Sequence, residues 1–193
     1  MENAAVFRLV VGLGNPGRNY AGTRHNVGFL VVEELARRAA SSFSLDTRWD
    51  ANVCLCGGRA LMKPETFMNL SGEAVGEYTR YFKLSHDDVL VILDDASLPL
   101  GQLRIRKSGS AGGHNGLESV LIHLGTELVP RLRVGIGSPD GRALHDHVLG
   151  RFSDEEKGAV AEAVSRAADA FEFANAHGLE AAMNQFNQKN QEP

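Results

Sequence analysis

Cysteine is scarce: 193 residues contain two, Cys54 and Cys56. Two positions apart on a strand they point the same way, where a mutual disulfide is strained, and two thiols are too few for a zinc site. They read as reduced thiols, and the chain as cytoplasmic. Long apolar runs are missing as well. None approaches the roughly 18 residues of a membrane span, and the opening "VFRLVV" is short and carries Arg8, so neither a signal peptide nor a membrane partner is expected. Positive charge is not in excess, with a formal net of -4. That removes a global signature of nucleic-acid binding but leaves room for a local basic patch. There is no H-E-x-x-H, no serine in a nucleophile elbow and no cysteine paired to a histidine, which argues against zincin and covalent chemistry.

What is present is an ordinary globular balance, 43% hydrophobic and 23% charged, in a length that suits one domain over 1–193. Strands are predicted over 6–12 (VFRLVVG), on both sides of Gly57-Gly58, over 88–94 (DVLVILD), over 101–107 with Leu103 and Ile105 inward, and over 131–137 (RLRVGIG). Helices are predicted over 26–40 with Asn26 as a cap, from about Ser71 to 83, over 117–124, and after a Ser153–Glu156 capping box. Residues 138–150 read as loop, and the polar tail after about Asn184 as fraying. Alternating strands and helices make this an α/β chain: a single-domain three-layer sandwich with a central mixed, mostly parallel twisted sheet flanked by helices.

Gly12, Gly14 and Gly17 have the G-x-G-x-x-G spacing of a dinucleotide loop. Pro16 removes one backbone donor from that loop, and the region "SFSLDTRWD" is a poor candidate for the next parallel strand with its ribose-binding acid. No cofactor is therefore expected. His25, between Arg24 and Asn26, falls where a helix begins, in an exposed loop mouth. Asp94 ends the strongest strand, at the sheet end where α/β sites are built. An aspartate there can take one ring N–H of His25 and leave the other nitrogen as a base. Asn15, Asn69 and Asn115 stand in glycine-rich or strand-end settings; an amide can orient water or donate to an oxyanion, although each also suits a turn or cap. The "HDH" at 145–147 lacks a third partner for a metal, and no metal site is expected. What remains is a histidine base that activates water without metal or cofactor.

Charge is uneven. Between Gly101 and Arg133 stand Arg104, Arg106, Lys107, Arg131 and Arg133 against Glu118 and Glu127. A basic strand edge beside a glycine-rich loop suits a phosphate backbone; a solvated face accounts for the charges equally well. Tyr20 and Phe67 could stack on a base or belong to the core.

Together these stretches resemble bacterial-type peptidyl-tRNA hydrolases. The matching motifs are "GLGNPGRNYAGTRHNVGF" (12–29), "KPETFMNLSG" (63–72), "VILDD" with "LPLG" (91–101), "GGHNG" (112–116) and "RLRVGIG" (131–137), in the family's order over most of the chain. The resemblance implies a monomeric enzyme that cleaves the ester between a peptide and the 3′ ribose of tRNA. It implies His25 as general base, Asp94 as its orienting carboxylate, and Asn15 as the residue that reads a blocked α-amino group and supports the histidine. Tyr20, Phe67, Asn69 and Asn115 would contact the tRNA end or the nascent peptide. Met68 and His114 would line the cleft, and Arg104, Arg106 and Arg133 would meet tRNA. Ser97 and Leu100 stand where the family often has an acid and a second proline, and Ala111 where it often has histidine; these bear on loop shape and phosphate affinity. Some plant organelle relatives look like splicing-factor partners, so a non-catalytic RNA-binding module is the alternative, with a dinucleotide-dependent oxidoreductase third.

Overall fold

The computed structural model describes residues 7–188. Seven strands form one sheet: β1 (Leu9–Gly12), β2 (Ser44–Asp46), β3 (Ala51–Cys56), β4 (Arg59–Pro64), β5 (Val89–Asp95), β6 (Leu103–Arg106) and β7 (Arg131–Gly135), in the order β2-β3-β4-β1-β5-β7-β6. The four central strands β4, β1, β5 and β7 run parallel, and the flanking pairs β2/β3, β3/β4 and β6/β7 are antiparallel. The helices are α1 (Val27–Arg38), α2 (Ser71–Phe82), α3 (Asn115–Leu124), α4 (Leu144–Leu149), α5 (Lys157–His177) and α6 (Leu179–Phe186).

Side-chain alternation on the buried strands makes the three layers. Val10, Leu90, Ile92, Leu132 and Val134 face α1, α5 and α6, while Leu9, Val11, Val89, Val91 and Leu93 face α2 and α3. Both faces are covered, which is why β5 reads as an unbroken apolar run rather than an alternating one. The β3–β4 turn has φ of 55° at Gly57 and 76° at Gly58, the two left-handed residues that a tight hairpin of the right twist requires. At the other end of the sheet, a Cβ on Gly12 would collide with the Gly28 carbonyl, and one on Gly28 with the Ile92 carbonyl. These glycines let α1 lie directly on the strand ends.

That packing separates the glycine loop from a dinucleotide cradle. Gly17 lies ten positions before α1 begins at Val27, with a separate 3-10 turn, Arg24–Asn26, in between. β1 pairs with β4 and β5, and the next strand in sequence, β2, is an edge strand. The pyrophosphate-binding turn from strand directly into helix is not formed.

Some boundaries differ from expectation. β1 starts at Leu9, and Val6 lies outside the described residues. Asn26 makes no capping bond to α1. Residues 138–150 contain α4, whose buried His147 donates from Nε2 to the Gly137 carbonyl at 2.8 Å and takes a weak 3.4 Å contact from Arg142 on Nδ1. The Ser153–Glu156 box is half formed: Glu156 accepts the Ser153 N–H at 2.7 Å, and α5 starts one residue later. Asn184 is helical rather than frayed, and Asn187 pairs with both backbone groups of Ile105, at 2.6 and 2.9 Å, closing part of the β6 edge; residues 189–193 lie outside the described residues.

Candidate active site

Asp94 is the sixth residue of β5, at its C-terminal end, and its carboxylate is 3% exposed. Two imidazoles converge on the same oxygen. His25 Nδ1 lies 2.7 Å from Asp94 Oδ1, and His114 Nε2 lies 2.9 Å from it. The rings are 5.0 Å apart. Burial opposes the charge on Asp94, but electrostatic attraction to His114 and N–H bonds from both His114 and His25 outweigh it and hold the carboxyl well below the usual carboxylate range. An ionised carboxylate only accepts, so both facing nitrogens carry protons.

The two histidines differ at their second nitrogen. His114 precedes α3, and its Nδ1 accepts the Leu117 N–H at 3.2 Å, capping the helix. Both of its nitrogens are occupied. His25, in the 3-10 turn before α1, has no hydrogen bond at Nε2 among the described residues. With Nδ1 protonated toward Asp94, Nε2 carries the lone pair.

His25, Asp94 and His114 also form the one group of three metal-ligand side chains found among the described residues, with ligand atoms within 4.8 Å of one another. A cation held by all three would take the His114 Nε2 lone pair. The proton would move to Nδ1, against the Leu117 N–H it now accepts. The group therefore fits a hydrogen-bonded triad better than a metal centre. The "HDH" stretch forms no second group: His147 is buried on Gly137 and His145 is exposed.

Asn15 is buried, and it reaches the histidine turn through Asn26 rather than by a bond to the His25 ring. Its backbone N–H donates to Asn26 Oδ1 at 2.9 Å, and Asn26 Nδ2 donates back to its carbonyl at 2.9 Å. Its side-chain Oδ1 accepts the Met68 N–H at 2.7 Å. Asn26, the residue after His25, is thus the link between the glycine loop and the histidine turn. Met68 is buried against Gly116, while Asn69, Asn115 and the 57% exposed Phe67 stand open on the loops that follow β4 and open α3. Tyr20 meets Phe67 edge to face at 6.3 Å. The site lies at the C-terminal end of β5, with these exposed side chains around it. A groove of about 540 Å³ lies elsewhere, against Leu30, Phe152, Val160 and Val164, and holds none of these residues.

The basic stretch is smaller than its charge count. Arg104 stands opposite Arg133, and Arg106 opposite Arg131, so all four leave the same sheet face. Arg131 is fully buried and donates to the carbonyls of Val129, Gly109 and Glu127; burial, then neighbouring Arg133, brings its pKa down to about 10. Arg133 is committed to Asp95 at 3.2 Å. Arg104, half-buried, and Arg106, exposed, remain available. Ser97 explains its own departure from the acid expected there. Its N–H and hydroxyl donate to Asp95 Oδ1 at 2.8 and 2.6 Å, a place where a second carboxylate would be repelled. Ala111 packs against the α2–α3 core.

Sequence reasoning passed over Arg24 and Asn26. Both flank His25 and each is 5% exposed, and His25, expected exposed in a loop mouth, has a side chain only 12% exposed because its turn is packed down on both sides.

The family profile for peptidyl-tRNA hydrolase matches residues 9–193. A peptidyl-tRNA hydrolase of Geobacillus kaustophilus is 51% identical over 188 residues, covering 94% of this chain and 100% of the relative. One from Methylacidiphilum infernorum is 49% identical over 180 residues, covering 93% and 97%. The crystal structure of peptidyl-tRNA hydrolase from Acinetobacter baumannii superposes with a TM-score of 0.87 at 33% identity, covering 95% of each chain. With the sheet order and the loops around His25 and Asp94 in place, the chain belongs to the peptidyl-tRNA hydrolase family.

Proposed function

We propose that this protein hydrolyses the ester between a peptide, or an N-blocked amino acid, and the 3′ ribose of tRNA. The observation that carries the reading is the 2.7 Å bond from His25 Nδ1 to the buried Asp94, which leaves Nε2 with no hydrogen-bond partner among the described residues. Nε2 takes a proton from water as the oxygen attacks the ester carbonyl, and Asp94 stabilises the imidazolium. The tetrahedral oxyanion needs donors; the exposed amides of Asn69 and Asn115, and the Asn15 Nδ2, which has no acceptor among the described residues, support that role. The imidazolium then returns the proton to the departing ribose oxygen. An alkoxide leaves far more readily than the nitrogen anion an unprotonated amide would expel, so one base with charge stabilisation suffices.

Tyr20 and Phe67 offer edge-to-face rings for the terminal base or a peptide side chain. Met68 and His114 line the floor. Arg104 and Arg106, with no ion pair among the described residues, are offered to tRNA phosphates, and Arg133 joins them while paired with Asp95. We propose a monomer working as one domain in the cytoplasm; no described helix is long and apolar enough to cross a membrane. The test is hydrolysis of an N-blocked aminoacyl-tRNA beside its free-amine counterpart. Fast cleavage of the blocked ester alone is expected. Binding without cleavage would instead favour a non-catalytic RNA-binding module.

A further inference from the structure

Arg24 has no part in the steps above, yet it is the most heavily anchored side chain near them. Its guanidinium, 7% exposed, forms a two-pronged pair with Glu156, Nη1 to Oε1 at 2.9 Å and Nη2 to Oε2 at 2.7 Å. Nη1 also reaches the Ile136 carbonyl at 3.3 Å, and the guanidinium lies 4.8 Å over the Phe152 ring. The Arg24 backbone N–H donates to Gly150 at 2.9 Å, and Thr23 bridges to Arg151. The Nε is buried with no partner.

We infer that Arg24, held by Glu156, is a positioning residue that sets where the His25 ring lies relative to Asp94. The inference rests on the reading of His25 as the base. Ile136 follows β7, and its N–H donates to the carbonyl of Asp95, next to Asp94, at 3.1 Å. Arg24 therefore ties the backbone of the histidine turn to the frame that carries the carboxylate. Asn26 ties the same turn to the glycine loop from the other side. His25 sits between two anchored neighbours, and its only side-chain bond among the described residues is to Asp94.

A buried cation with an orphaned donor is a poor way to gain stability, since packed apolar groups of the same volume often serve better. A fork with a fixed plane is a good way to hold geometry, and catalytic groups must stay within about 0.5 Å of their productive place. Lysine carries the charge but neither the fork nor the stacking plane. Glu156 also accepts the Ser153 N–H at 2.7 Å, a capping role that glutamine can keep while losing the charged pair.

The test compares Arg24→Lys, Glu156→Gln and the double variant with the wild type. Folding is checked by circular dichroism, steady-state rates are measured on N-blocked aminoacyl-tRNA, and the His25 tautomer is read by nitrogen-15 NMR. Expected is a fall in kcat of about 10- to 100-fold with KM within about twofold. The His25 signal shifts from the Nδ1–H tautomer toward a mixture, and the double variant is no worse than the poorer single one, because both break the same unit. If Arg24→Lys does not fold, Glu156→Gln, whose side chain is 27% exposed, carries the test alone. An unchanged kcat or an unchanged His25 tautomer in a folded variant overturns the inference. A wild-type protein that leaves the ester intact contradicts the hydrolase reading instead.

Discussion

His25 and His114 send N–H groups to one oxygen of Asp94, with their rings 5.0 Å apart, and their loops hold them in different ways. The His114 loop spends both ring nitrogens, one on Asp94 and one on the Leu117 N–H that opens α3. The His25 turn spends one nitrogen on Asp94 and is anchored by its neighbours, Arg24 and Asn26, instead of by its own ring. Two histidines with nearly the same distance to the same carboxylate thus have different chemistry available. Proximity to the acid does not identify a base; an unoccupied second nitrogen does.

The comparison can be broken most severely at its active half. His25→Ala removes the proposed base, and kcat on N-blocked aminoacyl-tRNA is expected to fall by about 10²–10⁴-fold, with tRNA binding largely kept in a filter-binding measurement. Asp94→Asn is expected to come next, with a loss of about 10²-fold or more, because an amide can donate to His25 Nδ1 and trap the wrong tautomer. The same substitution sharpens an acid-stability prediction. The folded pKa of Asp94 is depressed, so its contribution is present above the unfolded value of about 3.9 and is lost as pH falls below it toward the folded value. Denaturant titrations between pH 5 and the acid limit are expected to show a shallower loss of stability in Asp94→Asn than in the wild type.

At the other half the effects are smaller. His114→Ala removes a cap and one of the two donors to Asp94. It is expected to cost about 1 kcal/mol of stability in denaturant titration and about tenfold or less in kcat. The smallest effect on the chemical step belongs to the sheet edge. Arg104→Ala with Arg106→Ala is expected to raise KM, leave kcat within about twofold, and flatten the dependence of binding on salt by up to about two phosphate contacts. A salt slope equal to that of the wild type would remove the edge from the tRNA interface.

The parts of this picture that were legible in sequence are those written locally. The apolar run into Asp94, the Gly57-Gly58 hairpin and the Ser71 helix start each depend on neighbours a few residues away. The parts that were not legible depend on distant partners. Arg24 reads as a solvated flank until Glu156, 132 residues later, closes on it. Asn26 reads as a helix cap until the backbone of Asn15 takes both ends of its amide. Arg131 and Arg133 count as free positive charge in a tally, but one is buried among carbonyls and the other is bound to Asp95. α4 was missed because six residues after a Pro- and Gly-containing stretch leave too short a pattern to separate from loop. His114, expected only to line the cleft, is bonded to the same Asp94 oxygen as His25.

The most direct measurement sets the two histidines against each other on one substrate. Single-turnover hydrolysis of saturating N-blocked aminoacyl-tRNA by folded His25→Ala and His114→Ala is expected to leave His114→Ala about tenfold or more faster. Equal rates, or a slower His114→Ala, would contradict the assignment of the base to the histidine whose second nitrogen is free.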